Sequence, residues 1–430
     1  MDRLIVSIER DGKQVRVGTI EGKEDYGGFV YDEAYLASRD AAPISISLPL
    51  QEERFSGQRT RTFFEGLLPE GFTRRTVAHR MRADENDFMT LLRGLGKECL
   101  GALRVIAEGE MVEENTYEPL SEDRVKELAS EGVVKSSEFV LKAHLSLTGA
   151  SGKVGLYYDE PDDVWYLPKG TAASTHIVKQ SHVRLDGIVA NEQLSLLAAR
   201  KIGIEVPDSF IIRTGGTRDD EVLFATKRYD RCFTRGYHTP EGLPIPMRLH
   251  QEDFAQALGI ASKDKYEHPG DRHLQKIFTM LRSVSANPIE DSLKLWDIIV
   301  YDFLVGNSDN HIKNISILYS RDLKTLRLAP AYDILSTSIY EESSRNMAFS
   351  LGGRYALDDI TEEAFGDAAE EAGFSRKVGL RHLKQLSGKF EKALDEAASE
   401  LEAQGFSQAA GLKDKILKTG GYGVLAGRKA

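Results

Sequence analysis

The hydrophobic pattern changes its period close to residue 250. That change limits the chain to a fold in which a strand-rich part is followed by a helical one. In the strand-rich part Leu4, Val6 and Ile8 alternate with polar residues, Asp11-Gly12 marks a turn, and Val15-Arg16-Val17 alternates again, a β-hairpin signal. Residues 61–81 have helical spacing punctuated by Pro69 and Gly71, and 91–103 is glycine-rich and leads into a strand over 102–107. Residues 140–158 read as strand, glycine-rich turn, strand. Residues 154–158 and 164–167 flank the turn Glu160-Pro161-Asp162-Asp163 and pair as a hairpin. Strands are expected over 176–179, 210–212 and 222–225, with a helix over 191–202 whose face is Leu194, Leu197, Ala198 and Ile202. Residues 137–230 therefore read as a twisted antiparallel sheet with one helix. Beyond Gln251 the period is helical: Leu293, Trp296, Val300 and Phe303 recur at three and four, and 374–404 is a long helical stretch.

Composition narrows the function classes. With 430 residues, 41% of them apolar, two or three domains are expected. Lys and Arg number 56 against 67 Asp and Glu, a net charge of −11. This excludes a general nucleic-acid coat, because phosphate binding needs a local excess of cations. Cys99 and Cys232 are the only cysteines, too few for a disulfide framework or a four-cysteine zinc site, and read as reduced thiols. The apolar run near the N-terminus is three residues, against about 7–15 in a signal peptide. The apolar stretch 295–305 is broken by Asp297 and Asp302, so no segment approaches the roughly 20 residues of a membrane span. A soluble, cytoplasmic protein without a membrane partner is the expectation.

Three clusters carry chemistry. Ser146-Leu147-Thr148-Gly149-Ala150-Ser151-Gly152-Lys153 lies between strand candidates, and its small residues allow backbone N–H groups to approach phosphate oxygens. It is not a Walker loop: Val154 stands where the Mg²⁺-binding Ser or Thr belongs, and an ordinary hairpin turn reads the same residues. The second cluster, Gly306-Asn307-Ser308-Asp309-Asn310-His311-Ile312-Lys313-Asn314, follows the apolar helix. Asp309 and Asn314 have the Asp-x-x-x-x-Asn spacing of a kinase catalytic loop, and Asp333 follows nineteen residues later in Ala331-Tyr332-Asp333-Ile334. Mg²⁺ takes hard oxygen ligands, which Asn314 and Asp333 offer beside the base Asp309. A polar capping loop with solvated charges is the bland alternative. The third is Lys179 at a strand end with Glu192 thirteen residues on, a strand lysine for the phosphates oriented by a helix glutamate; a surface pair reads the same way. What joins them is order: glycine-rich loop, strand Lys, helix Glu, hinge, Asp-x₄-Asn, Asp.

On these residues the chain resembles the HipA toxin family, serine/threonine kinases of type II toxin–antitoxin systems. The resemblance also rests on Phe63-Phe64-Glu65-Gly66-Leu67-Leu68-Pro69-Glu70-Gly71, Thr175-His176-Ile177-Val178-Lys179, Asn191-Glu192, Lys227-Arg228-Tyr229-Asp230-Arg231, Gln251-Glu252-Asp253 and Pro330-Ala331-Tyr332-Asp333. It implies a bilobed, kinase-like α+β fold: an N-terminal accessory module (1–110), a β-rich nucleotide-binding lobe (135–245) and a helical catalytic lobe (246–430). It implies ATP and Mg²⁺ as cofactors. Asp309 would be the catalytic base, and Asn314 and Asp333 the metal ligands. Thr148, Gly149, Ala150, Ser151, Gly152, Lys153 and Lys179 would face the phosphates. Lys227, Arg228 and Tyr229 would form the adenine hinge, with His311, Lys313 and Tyr332 in the ATP site and Glu192 orienting Lys179. Ser146 would be autophosphorylated, ejecting the phosphate loop. Lys227 stands where the family pattern suggests glutamate, which leaves the hinge its backbone contacts. The implied partners are a helix-turn-helix antitoxin, operator DNA through that complex, and a translation substrate such as an aminoacyl-tRNA synthetase.

Two rival readings exist. Ser262-Lys263-Asp264-Lys265, Ser308-Asp309-Asn310 and Lys418-Thr419-Gly420 spell the serine β-lactamase motifs in order. The nucleophile should open a buried apolar helix, however, and Ser262 is followed by Lys-Asp-Lys-Tyr-Glu-His-Pro-Gly. The other rival is a catalytically silent kinase fold acting as a corepressor, against which stands the filling of every catalytic position. The basic stretch 413–429 reads as a solvated tail or as a contact to DNA phosphates.

Overall fold

The computed structural model describes residues 2–22, 27–111, 115–142, 152–181 and 185–427. The chain forms two compact units. The first comprises Met1–Gln180, Ala225–Ser262 and Leu318–Leu326; the second comprises Ser181–Phe224, Lys263–Ile317 and Arg327–Ala430. These units cut across the expected ranges 1–110, 135–245 and 246–430, because the N-terminal module and most of the β-rich lobe compact together.

In the first unit, β1 (Asp2–Arg10) and β2 (Lys13–Gly22) form the expected hairpin, with Arg10 opposite Lys13. Asp11 and Gly12 both have positive φ, 49° and 75°, the conformation a two-residue hairpin turn requires. The alternation of Leu4, Val6 and Ile8 puts these side chains fully inside. With β3 (Gly28–Tyr31) and β4 (Leu103–Ala107) they make a sheet of order β3-β2-β1-β4. Against it pack short helices, Gly57–Glu65 capped by Ser56 and Phe88–Leu95 capped by Asp87. The Phe63–Leu68 part of the family motif supplies core: Phe63, Phe64, Leu67 and Leu68 are all buried.

A second sheet in this unit contains β5 (Thr116–Pro119), β6 (Lys153–Asp159), β7 (Val164–Lys169) and β8 (His176–Gln180), in the order β5-β7-β6-β8. The expected hairpin at 154–167 is present, with Asp159 opposite Val164. Residues 140–142, where a strand is expected to start, are instead the end of a helix, Val133–Lys142. The buried set Ser136, Ser137, Phe139 and Val140 recurs at three and four, the helical period, and the two serines hid it.

The second unit is built on three helices. Pro288–Val305 starts with Pro288 at its first turn and is buried almost all round from Leu295 onward, which marks it as the central helix. Trp296 packs edge-on against Phe365 and Phe374, at 6.1 and 5.9 Å between centroids. The long helix Arg376–Ala403, capped by Ser375, packs on this helix and on Ile188–Ile202. Strand β9 (Ser209–Arg213) and the start of β10 (Val222–Lys227) also belong here. Beyond Gln251 a strand forms over Ser316–Tyr319, which the sequence also offers as a strand candidate, and further strands form over Leu326–Leu328, Asn346–Leu351 and Arg354–Ala356, where the helical pattern marks none.

Among the described residues, the basic stretch near the C-terminus is a packing element and not a tail. Ala409–Thr419 is a helix with Leu412, Ile416 and Leu417 buried, and Lys413 pairs with Asp395 at 2.9 Å. Gly420 ends that helix against the backbone of Leu304, so Lys418-Thr419-Gly420 is no core strand. Among the described residues no helix is long and apolar enough to cross a membrane.

Candidate active site

Gly306 ends the central helix in the left-handed conformation, φ 77°, so the chain can turn sharply into the loop. A Cβ there would lie 2.1 Å from Ser338 Oγ, so the site admits only glycine. Asp302, one turn before, points down into the core and accepts from the side-chain amides of Asn307, at 2.9 Å, and Asn310. Burial pushes its carboxyl up to about 8, opposed by the Asn307 hydrogen bond. Ser308 is held by Thr337 Oγ1 at 2.7 Å and donates to the carbonyl of Ser344 at 2.6 Å. The loop is thus pinned from below by neutral amides and hydroxyls.

Asp309 stands out of this scaffold, exposed, between the buried Ser308 and Asn310. Its backbone is fixed on both sides. Its N–H meets Asn307 Oδ1 at 3.3 Å, and its carbonyl accepts from His311 N–H at 2.8 Å and Asn314 Nδ2 at 3.0 Å. The spacing of five therefore has a local cause: the 3₁₀ turn Ile312–Asn314 brings the Asn314 amide back onto Asp309. Its carboxylate accepts from the hydroxyl of Tyr266 at 2.5 Å. His311 and Lys313 are buried, and the ring of Tyr266 meets His311 edge-on at 5.3 Å.

The Asp333 segment is tied to the same loop. Tyr332 donates to the Lys313 carbonyl at 2.9 Å and shares a 2.6 Å hydrogen bond with Ser316. Asp333 has φ 58°, a left-handed conformation that costs a non-glycine residue about 1–2 kcal/mol and that Asp tolerates better than most. Further along, Asn191 clamps the backbone of Ser336 at both ends, Nδ2 to its carbonyl at 2.8 Å and Oδ1 from its N–H at 3.1 Å. Asn314 and Asp333 offer an amide and a carboxylate oxygen, a hard donor set that Mg²⁺ accepts when water and phosphate complete the shell.

In the first unit, Lys153 and Lys179 are direct cross-strand partners of β6 and β8. Gly152 is needed by close approach: a Cβ would sit 1.8 Å from Gln180 Nε2. Ser146, Thr148, Gly149, Ala150 and Ser151 lie outside the described residues. Glu192 is buried on helix Ile188–Ile202 of the second unit.

The expected hinge residues divide. Lys227 is at the surface, 3.3 Å from Glu160. Tyr229 donates to Gln251 Oε1. The Arg228 side chain is fully buried, and its N–H is already donated to Thr175 O at 2.8 Å. A nucleotide contact from that guanidinium or that N–H is therefore ruled out. Arg228, Arg231 and Arg248 instead enclose Glu98 at 3.2, 2.8 and 2.5 Å, with Asp230 bridging Arg228 and Arg231 and Glu9 bonding Arg248. Burial raises the Glu98 carboxyl, but the three guanidiniums outweigh it and hold it at about 2. The Arg228, Asp230 and Arg231 side chains of the Lys-Arg-Tyr-Asp-Arg motif are here structural. Gln251-Glu252-Asp253 is likewise inside: Glu252 accepts from Ser45 Oγ, Ile46 N–H and Tyr319, and Asp253 caps a short helix.

Sequence reading missed Asp302, Asn191 as a clamp, Glu98 and Tyr266. For the first the available signal was a charge inside an apolar run, one of the two aspartates that break 295–305. Glu98 and Tyr266 carried none, because their partners are remote in sequence.

Comparison with known proteins agrees with this architecture. Residues 145–403 match the HipA-like C-terminal domain and residues 12–106 the HipA N-terminal domain. "Putative kinase Y4mE" of Sinorhizobium fredii (strain NBRC 101917 / NGR234) is 34% identical over 391 residues, covering 89% of each chain. "Putative kinase Y4dM" of the same organism is 26% identical, covering 90% of each. A chain of the solved "Shewanella oneidensis MR-1 Toxin Antitoxin System HipA, HipB and its operator DNA complex" superposes with a TM-score of 0.79 at 20% identity, covering 99% of this chain and 97% of that one. That likeness establishes the α+β, kinase-like fold. The length of the domain match and the identity to Y4mE together place the chain in the HipA family.

Proposed function

We propose that the protein is an ATP- and Mg²⁺-dependent serine/threonine protein kinase, the toxin of a type II toxin–antitoxin pair. The observation that carries this reading is the presentation of Asp309: an exposed carboxylate on a loop whose Asn307, Ser308 and Asn310 are buried and hydrogen-bonded to Asp302, Thr337 and Ser344, with the Asn314 amide folded back onto its carbonyl. In this reading Asp309 takes the proton of a protein hydroxyl. Lys153 and Lys179 neutralise phosphate charge, with Glu192 as the orienting carboxylate. Asn314 and Asp333 would hold Mg²⁺, which when bound neutralises charge on the transferring phosphoryl group. Positioning and electrostatics supply most of such catalysis.

The finer parts of the proposal rest on family membership. They are autophosphorylation at Ser146, neutralisation by a helix-turn-helix antitoxin, contact with operator DNA through that complex, action on a translation protein such as an aminoacyl-tRNA synthetase, and a cytoplasmic location. The Shewanella complex, which pairs HipA with HipB and operator DNA, supports the partner reading.

Thermal stability with ligand tests the nucleotide site. ATP with Mg²⁺ should raise the melting temperature more than either alone, since a ligand that binds only the folded state stabilises by mass action. Asp333→Ala should remove the extra shift. Equal shifts from Mg²⁺ alone, or an unchanged shift in Asp333→Ala, would contradict the metal roles.

A further inference from the structure

The backbone of Asp309 is held by Asn307, His311 and Asn314, but none of these bonds fixes its side-chain torsions. A carboxylate that must receive a proton in flight needs its oxygens aimed as well as its Cα placed. The phenol of Tyr266 does reach the carboxylate, donating to Oδ1 at 2.5 Å. This residue comes from a segment that no motif marks, forty-three positions before Asp309.

The phenol is itself presented from a fixed support. Glu267, the next residue, donates its N–H to Ala348 O at 2.8 Å. Its buried carboxylate accepts from Ser350 N–H at 2.7 Å and His273 N–H at 2.6 Å. Tyr266 is thereby anchored to the strand Asn346–Leu351 and the start of the helix His273–Val284. Its ring stands edge-on to His311, and Lys265 Nζ lies 5.5 Å from its centroid. Tyr266 is 43% exposed, so it is not core, and packing does not explain its placement.

We propose that Tyr266 is a positioning residue for the proposed base: its hydroxyl sets the rotamer of the Asp309 carboxylate. The inference rests on the kinase reading of Asp309. A hydroxyl donor also favours the charged carboxylate, the form that accepts the proton. Tyr266→Phe keeps the ring, its contact with His311 and its solvent exposure, and removes only the hydroxyl.

The test is a double-mutant cycle on the full chain, with Tyr266→Phe, Asp309→Asn and both together. It reads phosphoryl transfer from ATP to protein as kcat and as KM for ATP, with melting curves alongside. Tyr266→Phe should lower kcat by about 10- to 100-fold, as for a misaimed catalytic group, with KM for ATP and melting temperature as in wild type. In the Asp309→Asn background the same change should have no further effect, because the group it aims is gone. Wild-type kcat in Tyr266→Phe, a raised kcat, or an equal loss in both backgrounds would overturn the inference and leave Asp309 standing. Wild-type transfer in Asp309→Asn, or no transfer in the unmodified chain, would overturn the kinase reading first and this one with it.

Discussion

Segments 227–231 and 306–314 look alike as sequence, since each packs several charged or amide residues into a short polar run. The structure uses them in opposite ways. In 227–231 the charges are turned inward: Arg228, Asp230 and Arg231 are buried and bonded to one another, to Glu98 and to backbone carbonyls. In 306–314 the loop is fastened by neutral groups, the amides of Asn307 and Asn310 on Asp302 and the hydroxyl of Ser308 on Thr337 and Ser344; His311 and Lys313 are buried beside them, and the carboxylate of Asp309 is exposed. A polar motif is therefore a site only where its internal bonding leaves a reactive group presented. Where the bonding closes on itself, the motif is a fastening.

The fastening should fail hardest. Glu98→Ala strips three buried guanidiniums of their shared carboxylate. Removing one partner of a buried pair costs about 3–5 kcal/mol, so denaturant unfolding should show a loss of that size. A loss under about 1 kcal/mol, the range of exposed pairs, would erase the contrast between the two segments.

Two buried carboxylates of the first unit, Glu98 and Glu252, sharpen the comparison through pH. Glu98 is held low, at about 2, so its stabilisation is present above the ordinary range near 4.5 and is lost as pH falls through 2. Glu252 has hydrogen bonds but no cation in contact, and burial raises it to about 7 from an ordinary 4.5. Between those values the folded protein holds a proton that the unfolded chain releases, so stability falls as pH rises from 4.5 to 7. The gap corresponds to about 3 kcal/mol at most. Glu252→Gln should flatten the stability profile in that window, and an unchanged slope would mean that Glu252 does not carry it.

A smaller effect is expected at the clamp behind the catalytic loop. Asn191→Ala leaves Ser336 N–H and C=O without their buried partner, at about 1–3 kcal/mol, and should speed amide exchange at Ser336. Unchanged exchange there would show that the bonds of Thr337 and Ser338 to Gly306 and of Thr337 to Ser308 hold the segment without Asn191. The smallest effect belongs to Lys227. Its exposed pair with Glu160 is worth at most about 1 kcal/mol, so Lys227→Ala should change neither stability nor ATP affinity appreciably. A clear loss of ATP affinity would return its side chain to the nucleotide site.

Legibility followed the range of the interactions. The Asp-Gly hairpin, the 154–167 hairpin and the central helix were readable because period and turn chemistry are local. The five-residue spacing of Asp309 and Asn314 was visible too, but the hydrogen bond that a single 3₁₀ turn makes between them was not. The helix Val133–Lys142 was misread because two buried serines interrupt its apolar face. The inward turn of Arg228 was illegible, since Glu98 lies 130 residues away and only the fold brings them together. Tyr266 was passed over for the same reason, as its partner is 43 residues on.

The central claim is that Asp309 is presented for chemistry and not for structure. Purified Asp309→Asn, assayed for phosphoryl transfer from ATP beside its melting curve, tests it most directly. Loss of a general base typically costs about 10²–10⁴-fold, and the account predicts a loss of that order with the melting temperature of the unmodified protein. Transfer at the original rate, or a loss of transfer accompanied by an equally large loss of stability, would contradict it.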